Sequence, residues 1–180
     1  METLQCIKGR RSIRHFTEQE VSEEILQELL EAVRWAPSWA NSQCWEIIIV
    51  KEKENKAKLA ELLAEGNPAT KATIQAPLVL VFCGKKGLAG FKKGVAMTNK
   101  GDWYMFDLGL ACQNLCLAAH DLGLGTVQVG NFDHEGVDKL LNISDGAESV
   151  LIIPLGYPAK EGVAPPRRGI DGFVYRERYS

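Results

Sequence analysis

Histidine, paired cysteines and the common catalytic signatures are all scarce in this chain, and each absence removes a class of function. Only three histidines occur in 180 residues, His15, His120 and His134. Each lies in a cap or turn context, so none stands out as a general base. There is no Gly-x-Ser-x-Gly elbow, no P-loop, no His-Glu-x-x-His and no Gly-x-Gly-x-x-Gly opening a helix after a strand. These gaps argue against a serine hydrolase, a P-loop nucleotidase, a zinc protease and a Rossmann dehydrogenase. The five cysteines (Cys6, Cys44, Cys83, Cys112, Cys116) are odd in number and form no Cys-x-x-Cys pair. Cys112 and Cys116 lie one helical turn apart, but no histidine or further cysteine completes a site, so no metal is expected. No apolar run is long enough to cross a bilayer, and the N-terminus lacks an apolar signal region, which together predict a reducing cytoplasmic setting. Nor is one sign of charge in excess. The net charge of -2 argues against nucleic acid or a membrane surface as partner.

What remains reads as one globular domain over residues 1–180, 46% hydrophobic and long enough to bury a core. Residues 3–8 predict a short helix closed by Gly9 in the left-handed conformation. Ser22 caps a second helix, with Val21 and Leu26 as its hydrophobic staple, and Pro37 stops it. Buried strands are expected over 46–50 and 78–83, and between them a helix capped by Asn55 and closed by Gly66. Residues 85–100 carry five lysines and three glycines with little periodicity, the pattern of an exposed, mobile, lid-like connection. The longest helix, over 102–122, is apolar nearly all round, as a helix packed on several sides or against a second copy of itself is. His120 near its end is expected to satisfy terminal carbonyls. A third strand over 126–130, a helix capped by Asp133 and a fourth strand over 149–156 follow. The tail ends in Phe173-Val174-Tyr175, read as a short edge strand.

Two stretches stand out. Arg10, Arg11 and Arg14 place three guanidinium groups within five residues, a crowding that is unfavourable unless an anion or several carboxylates sit among them. The planar guanidinium fork fits a phosphate, and Ser12 adds a hydroxyl donor. A second basic pair, Arg167-Arg168, lies near the other end. The second stretch is the small, polar loop from Pro37 to Cys44, bracketed by Trp35, Trp39 and Trp45. Trp35 and Trp45 are expected in the core, while Trp39 is left open between core and a wall for a flat aromatic ligand. An anion clamp and an aromatic-walled polar loop, with no evident acid, base or nucleophile, point to a cofactor that does the chemistry itself. No catalytic side chain is assigned.

Four segments carry a family resemblance. They are Arg10-Arg11-Ser12-Ile13-Arg14-His15-Phe16-Thr17, the loop Ala36-Pro37-Ser38-x-x-Asn41-x-Gln43-x-Trp45, the helix from Gln113-Asn114 to Gly125, and Arg167-Arg168. In this order, over nearly the whole chain, they resemble the nitroreductase family of FMN-dependent oxidoreductases. The resemblance implies an α+β fold, a mostly antiparallel central sheet flanked by helices, and an intertwined homodimer with two FMN sites at its interface. By the same resemblance Arg10, Arg11, Ser12 and Arg14 bind the FMN phosphate, ribityl chain and pyrimidine edge, and Arg167 with Arg168 completes the phosphate clamp. Pro37, Ser38 and Asn41 contact the flavin from the other subunit. Gln128, Val129 and Gly130 lie beside the ring with an N–H aimed at N5. The implied reaction passes a hydride from NAD(P)H to FMN and then reduces a nitroaromatic, quinone or similar small acceptor by a ping-pong mechanism. Reductive dehalogenation, oxygen-dependent flavin breakdown, and flavin binding or sensing without turnover are the rival expectations. Cys44 and Gly169 depart from the family's pattern, which usually has proline at both places. The segment between Pro77 and Asp102 is also short for the family.

Overall fold

β-Branched and leucine-rich runs become the centre of a four-stranded sheet. The computed structural model describes residues 1–144 and 146–179. Its strands are β1 (Trp45–Val50), β2 (Leu78–Lys85), β3 (Phe91–Lys92), β4 (Val95–Ala96), β5 (Gly125–Thr126) and β6 (Ala147–Gly156). The main sheet runs β1-β2-β6-β5 with every neighbouring pair antiparallel, and β3 with β4 forms a separate hairpin. The helices are α1 (Thr3–Gly9), α2 (Glu23–Arg34), α3 (Lys53–Glu61), α4 (Thr70–Gln75), α5 (Tyr104–Asp121) and α6 (His134–Leu140). This is the expected α+β architecture with a mostly antiparallel sheet flanked by helices.

The alternation along β2 explains why the strand reads as one unbroken apolar run. Leu78, Leu80 and Phe82 join a core with Leu29 and Val33 of α2 and Leu108, Ala111 and Leu115 of α5. Val79, Val81 and Cys83 point the other way, into a core with Leu59 of α3, Ala72 of α4 and Val137 of α6. With helices on both faces, neither set of side chains meets water. The α2 start is as predicted: the Ser22 hydroxyl accepts from the Ile25 N–H at 3.3 Å, and Val21 and Leu26 are both buried. Asp133 caps α6 in the same way, accepting from the Gly136 N–H at 3.0 Å.

Several expectations are corrected. Gly9 is the last residue of α1, not a left-handed closing residue, and a Cβ there would sit 2.6 Å from His120 Nε2. His120 therefore packs on Gly9, and its ring makes no hydrogen bond among the described residues. β1 lies at a sheet edge with only Val50 buried. α3 begins after Glu52, which makes no side-chain cap bond, instead of at Asn55. α4, too short to show a period, was not expected at all. The third strand keeps only two ladder residues, with an isolated bridge between Val129 and Ile152 beyond it. The tail forms a 3-10 turn over Ile170–Gly172, and Phe173 to Tyr175 stay half exposed with no strand. Trp35 is 73% exposed and outside the core. It ends α2 ahead of Pro37, where its indole N–H donates to Glu31 at 2.6 Å and Arg34 stacks on its ring.

The stretch over 85–100 is largely exposed, as expected, but it is folded. Ala89 is fully buried, Met97 N–H donates to Gly90 O at 2.8 Å, and Trp103 N–H donates to Ala89 O at 3.0 Å. Gly90 has φ +82, and a Cβ would lie 2.5 Å from Trp103 Cδ1, so only glycine lets the hairpin close on that indole. The described residues contain no helix long and apolar enough to cross a membrane. They hold no cluster of three His, Cys, Asp or Glu fit for a metal, and all five cysteines are buried and free.

The first turn of α5 is tied to β6 by charge. Tyr104 Oη donates to a Glu148 carboxylate oxygen, and Lys86 Nζ reaches the other at 2.9 Å. The tyrosine bond first, and Lys86 second, hold Glu148 below the ordinary glutamate value of 4.5. Because the folded pKa is depressed, the stabilisation is present above 4.5 and is lost as pH falls through the folded value. Tyr104→Phe is expected to cost about 1 kcal/mol at pH 7, roughly 3 °C in melting temperature. That difference should close as the solution is acidified below Glu148's folded pKa. An equal gap at neutral and strongly acidic pH, read by thermal denaturation, would remove Glu148 from the account.

Candidate functional site

The two ends of the chain meet at a basic cavity. Its volume is about 310 Å³, and Lys8, Arg10, Arg11 and Arg167 line it together with Ile7 and Pro165. Among the described lining residues there are four cations and no carboxylate. Like charges brought together in a concave site repel, so the arrangement is favourable only with an anion among them. Two of the arginines are partly held by backbone. Arg11 Nη1 donates to Lys8 O at 2.6 Å and Arg10 O at 2.8 Å, carbonyls at the C-terminal end of α1. Arg167 Nη1 donates to Pro165 O at 3.3 Å and Pro166 O at 3.4 Å. Arg10 also lines an adjoining cavity of about 320 Å³ that Cys116, His120 and Thr126 share. Lys8 was not singled out in the sequence. Its position one turn before the arginines was the available signal.

The other sequence candidates lie elsewhere. Ser12 is exposed and bridges in parallel to Thr126, while Arg14 is exposed and lines neither basic cavity. Arg168 turns its guanidinium onto Phe173, 5.5 Å from the ring centre. Gln128 Nε2 donates to Cys116 Sγ at 3.4 Å. Val129 exchanges both backbone bonds with Ile152 at 2.9 Å. The next residue, Gly130, is exposed, and its N–H has no acceptor among the described residues.

Pro37 and Ser38 line a different cavity of about 380 Å³, beside Trp39, Trp103, Phe106 and Asp107. Asn41 lines a third, with Arg34, Trp35 and Gln43. Neither shares a lining residue with the basic cavity. The loop carries three non-glycine residues in the left-handed region, Ala40 (φ 46), Asn41 (φ 57) and Gln43 (φ 47), a conformation that costs on the order of 1 kcal/mol or more each.

What holds this loop is Asp107, in the first turn of the largely apolar α5. Its carboxylate is 1% exposed. It accepts the Trp39 N–H at 3.0 and 3.2 Å, the Ser42 hydroxyl at 3.3 Å and the Cys44 thiol at 3.6 Å. Burial first, and the Asp107 charge second, push Cys44 up to about 11, so its thiol remains a donor at neutral pH. No cation pairs with Asp107 among the described residues. A buried carboxylate without an ion pair is tolerated when donors surround it. Here the strained loop supplies them.

A helix-flanked antiparallel sheet whose two chain ends converge on an anion pocket defines a class, and similarity to known proteins identifies it. The sequence model described as "Nitroreductase family" matches residues 7–157, so the chain belongs to the nitroreductase family. Among curated relatives, the "FMN reductase [NAD(P)H]" of Bacillus subtilis is 31% identical over 194 residues, covering 99% of this chain and 74% of that protein. Among solved structures, a nitroreductase family protein of Clostridium difficile 630 superposes with TM-score 0.84 at 25% identity, covering 99% of this chain and 100% of the other. The NADPH:FMN oxidoreductase of Vibrio harveyi, solved with NAD+, gives 0.82 at 28%, covering 99% and 78%.

Proposed function

We propose that this chain, as a single domain over 1–180, is an FMN-dependent oxidoreductase that takes reducing equivalents from NAD(P)H and delivers them to a small nitroaromatic, quinone or similar acceptor by a ping-pong mechanism. The relatives carry the class: FMN reductase and NADPH:FMN oxidoreductase are what two of them are called. The observation in this chain that carries it is the cavity of Lys8, Arg10, Arg11 and Arg167, a donor set that suits a phosphate dianion. Bound FMN supplies the redox chemistry, accepting a hydride and passing two electrons on.

The chain's own part is to bind and orient. Arg10, Arg11 and Arg167 face the phosphate, with Ser12, Arg14 and Arg168 close by in sequence. Beside Gln128 and Val129, the unpaired Gly130 N–H is the donor available to the ring. Pro37, Ser38 and Asn41 line cavities separate from the basic one, which fits a second copy of the chain presenting them in a homodimer. No side-chain acid is required by this reading.

The purified protein is then expected to be yellow with an FMN absorbance spectrum, and to sediment as a dimer. Under argon, NADPH should bleach it and an added acceptor should restore the colour. A colourless protein that takes up no FMN would end the proposal. A yellow one that NAD(P)H never bleaches would leave only flavin binding without turnover.

A further inference from the structure

The five thiols are all buried, but they are not alike. Three act as donors. Cys6 Sγ donates to Leu117 O at 3.3 Å, Cys44 Sγ to the Asp107 carboxylate at 3.6 Å and Cys83 Sγ to Val81 O at 3.8 Å. A sulfur that donates keeps its proton and is a poor nucleophile. Cys116 accepts instead: Gln128 Nε2 donates to its Sγ at 3.4 Å. It also lines the cavity of about 320 Å³ that adjoins the basic one, which none of the other four does.

That cavity gives the sulfur the surroundings of a reactive thiol. Arg10 and Arg11 line it against a single carboxylate, Glu161, so its field favours an anion. His120 lines it too, and a spacing of four residues puts Cys116 and His120 on one face of α5. The His120 ring makes no hydrogen bond among the described residues, which leaves a base without a partner beside a thiol. The Cys112 thiol first, as a donor, then Thr126, Gln128 and the Arg10 charge, hold Cys116 below the ordinary thiol value against the opposing effect of burial.

We infer that Cys116 is a modification site, a thiol that reacts with hydrogen peroxide and is open to it when FMN is absent. The step balances as a thiol and hydrogen peroxide giving a sulfenic acid and water. Sulfur attacks one peroxide oxygen, an S–O bond forms and the O–O bond breaks. The sulfur gives up two electrons, and the thiol's proton ends on the departing hydroxide, with His120 as the base in the cavity to carry it. The thiol stands without a flavin. Its masking by FMN rests on the oxidoreductase reading, because a flavin held by Arg10 covers the cavity that Arg10 shares. Oxidation then opposes flavin loading, since the added oxygen takes up space and donors beside Arg10.

The flavin-free full chain is treated with hydrogen peroxide and dimedone, or with iodoacetamide alone, and the modified peptides are read by mass spectrometry. Cys116 is expected to react at least tenfold faster than each of the other four thiols. Those four are the control, because global unfolding exposes all five together. Loading with FMN should slow Cys116 at least tenfold. Peroxide treatment should weaken FMN binding at least tenfold, and dithiothreitol should restore it, the dithiol becoming a disulfide as the sulfenic acid returns to thiol and water. In Cys116→Ser, peroxide should leave flavin affinity unchanged. Arg10→Ala and Gln128→Leu should each slow the labelling of Cys116 severalfold, and Cys83→Ser should not. Equal labelling of all five thiols, or Cys6, Cys44 or Cys83 reacting first, overturns the site. Labelling that FMN fails to slow in protein shown to hold it, or peroxide sensitivity that survives in Cys116→Ser, overturns the link to flavin loading. Failure to hold FMN at all overturns the FMN reading alone.

Discussion

Replacing Arg10 and Arg167 together by alanine is expected to weaken FMN binding by about a hundredfold or more. Each charge-assisted hydrogen bond to a phosphate contributes roughly 1.5–3 kcal/mol, so each arginine alone accounts for about tenfold or more. The two come from opposite ends of the chain onto one cavity, which is why removing either leaves a partial site and removing both leaves only Lys8 and Arg11. Arg11 behaves differently. Its guanidinium also holds the last carbonyls of α1, so Arg11→Ala should lower the melting temperature as well as the affinity, whereas Arg10→Ala should lower mainly the affinity. Titration of flavin fluorescence reads the dissociation constant directly. The losses should shrink at high ionic strength, where the wild type is itself weakened. A double variant that binds FMN as tightly as wild type would show that the cavity serves some other anion.

How much of this was legible in the sequence follows from how local each cause is. Three guanidinium groups in five residues are visible on the line, and so are the apolar runs that become β2 and β6, because burial on both faces leaves no polar alternation. The start of α2 was readable from Ser22 and Val21, since a cap and a staple are made by near neighbours. α4 was not, because six residues (Thr-Lys-Ala-Thr-Ile-Gln) are too few to show a period and no side chain caps its start. The third strand was overdrawn because Thr126 to Gly130 is strand-like in composition, but the ladder ends at Thr126, leaving a long Val127 N–H bond to Pro154 O at 3.4 Å and an isolated bridge at Val129. Trp35 was placed in the core on its hydrophobicity alone. At the end of α2 a proline two residues on turns the chain away, and the indole lies over Arg34 in solvent. The least legible feature is Asp107. A lone carboxylate on an apolar helix says that donors must come to it, and nothing in its own neighbourhood says that they come from the loop 38–44.

Asp107→Ala is expected to cost about 3 kcal/mol of stability, near 9 °C in melting temperature for a chain of this size, and to weaken flavin binding without touching the basic cavity. The reasoning counts donors. The Trp39 N–H, the Ser42 hydroxyl and the Cys44 thiol all end on this carboxylate, and a buried donor left without an acceptor costs roughly 1–3 kcal/mol, less for a thiol. With the anchor gone, Ala40, Asn41 and Gln43 have no reason to stay left-handed, and Ser38 and Asn41 move with them. Asp107→Asn keeps the volume but turns one acceptor oxygen into a donor facing other donors, so it should fall between wild type and alanine. Ser42→Ala and Cys44→Ala each remove one donor and leave the carboxylate the rest, so each should cost less than half as much. The comparison of FMN with riboflavin separates this effect from loss of the anion clamp. Removing Arg10 or Arg167 should shrink the preference for FMN, because riboflavin has no phosphate to lose. Asp107→Ala should weaken both flavins by the same factor and leave their ratio unchanged. Wild-type stability and flavin affinity in Asp107→Ala would mean that the loop holds its shape unaided, and a changed FMN-to-riboflavin ratio would mean that Asp107 acts on the phosphate end instead.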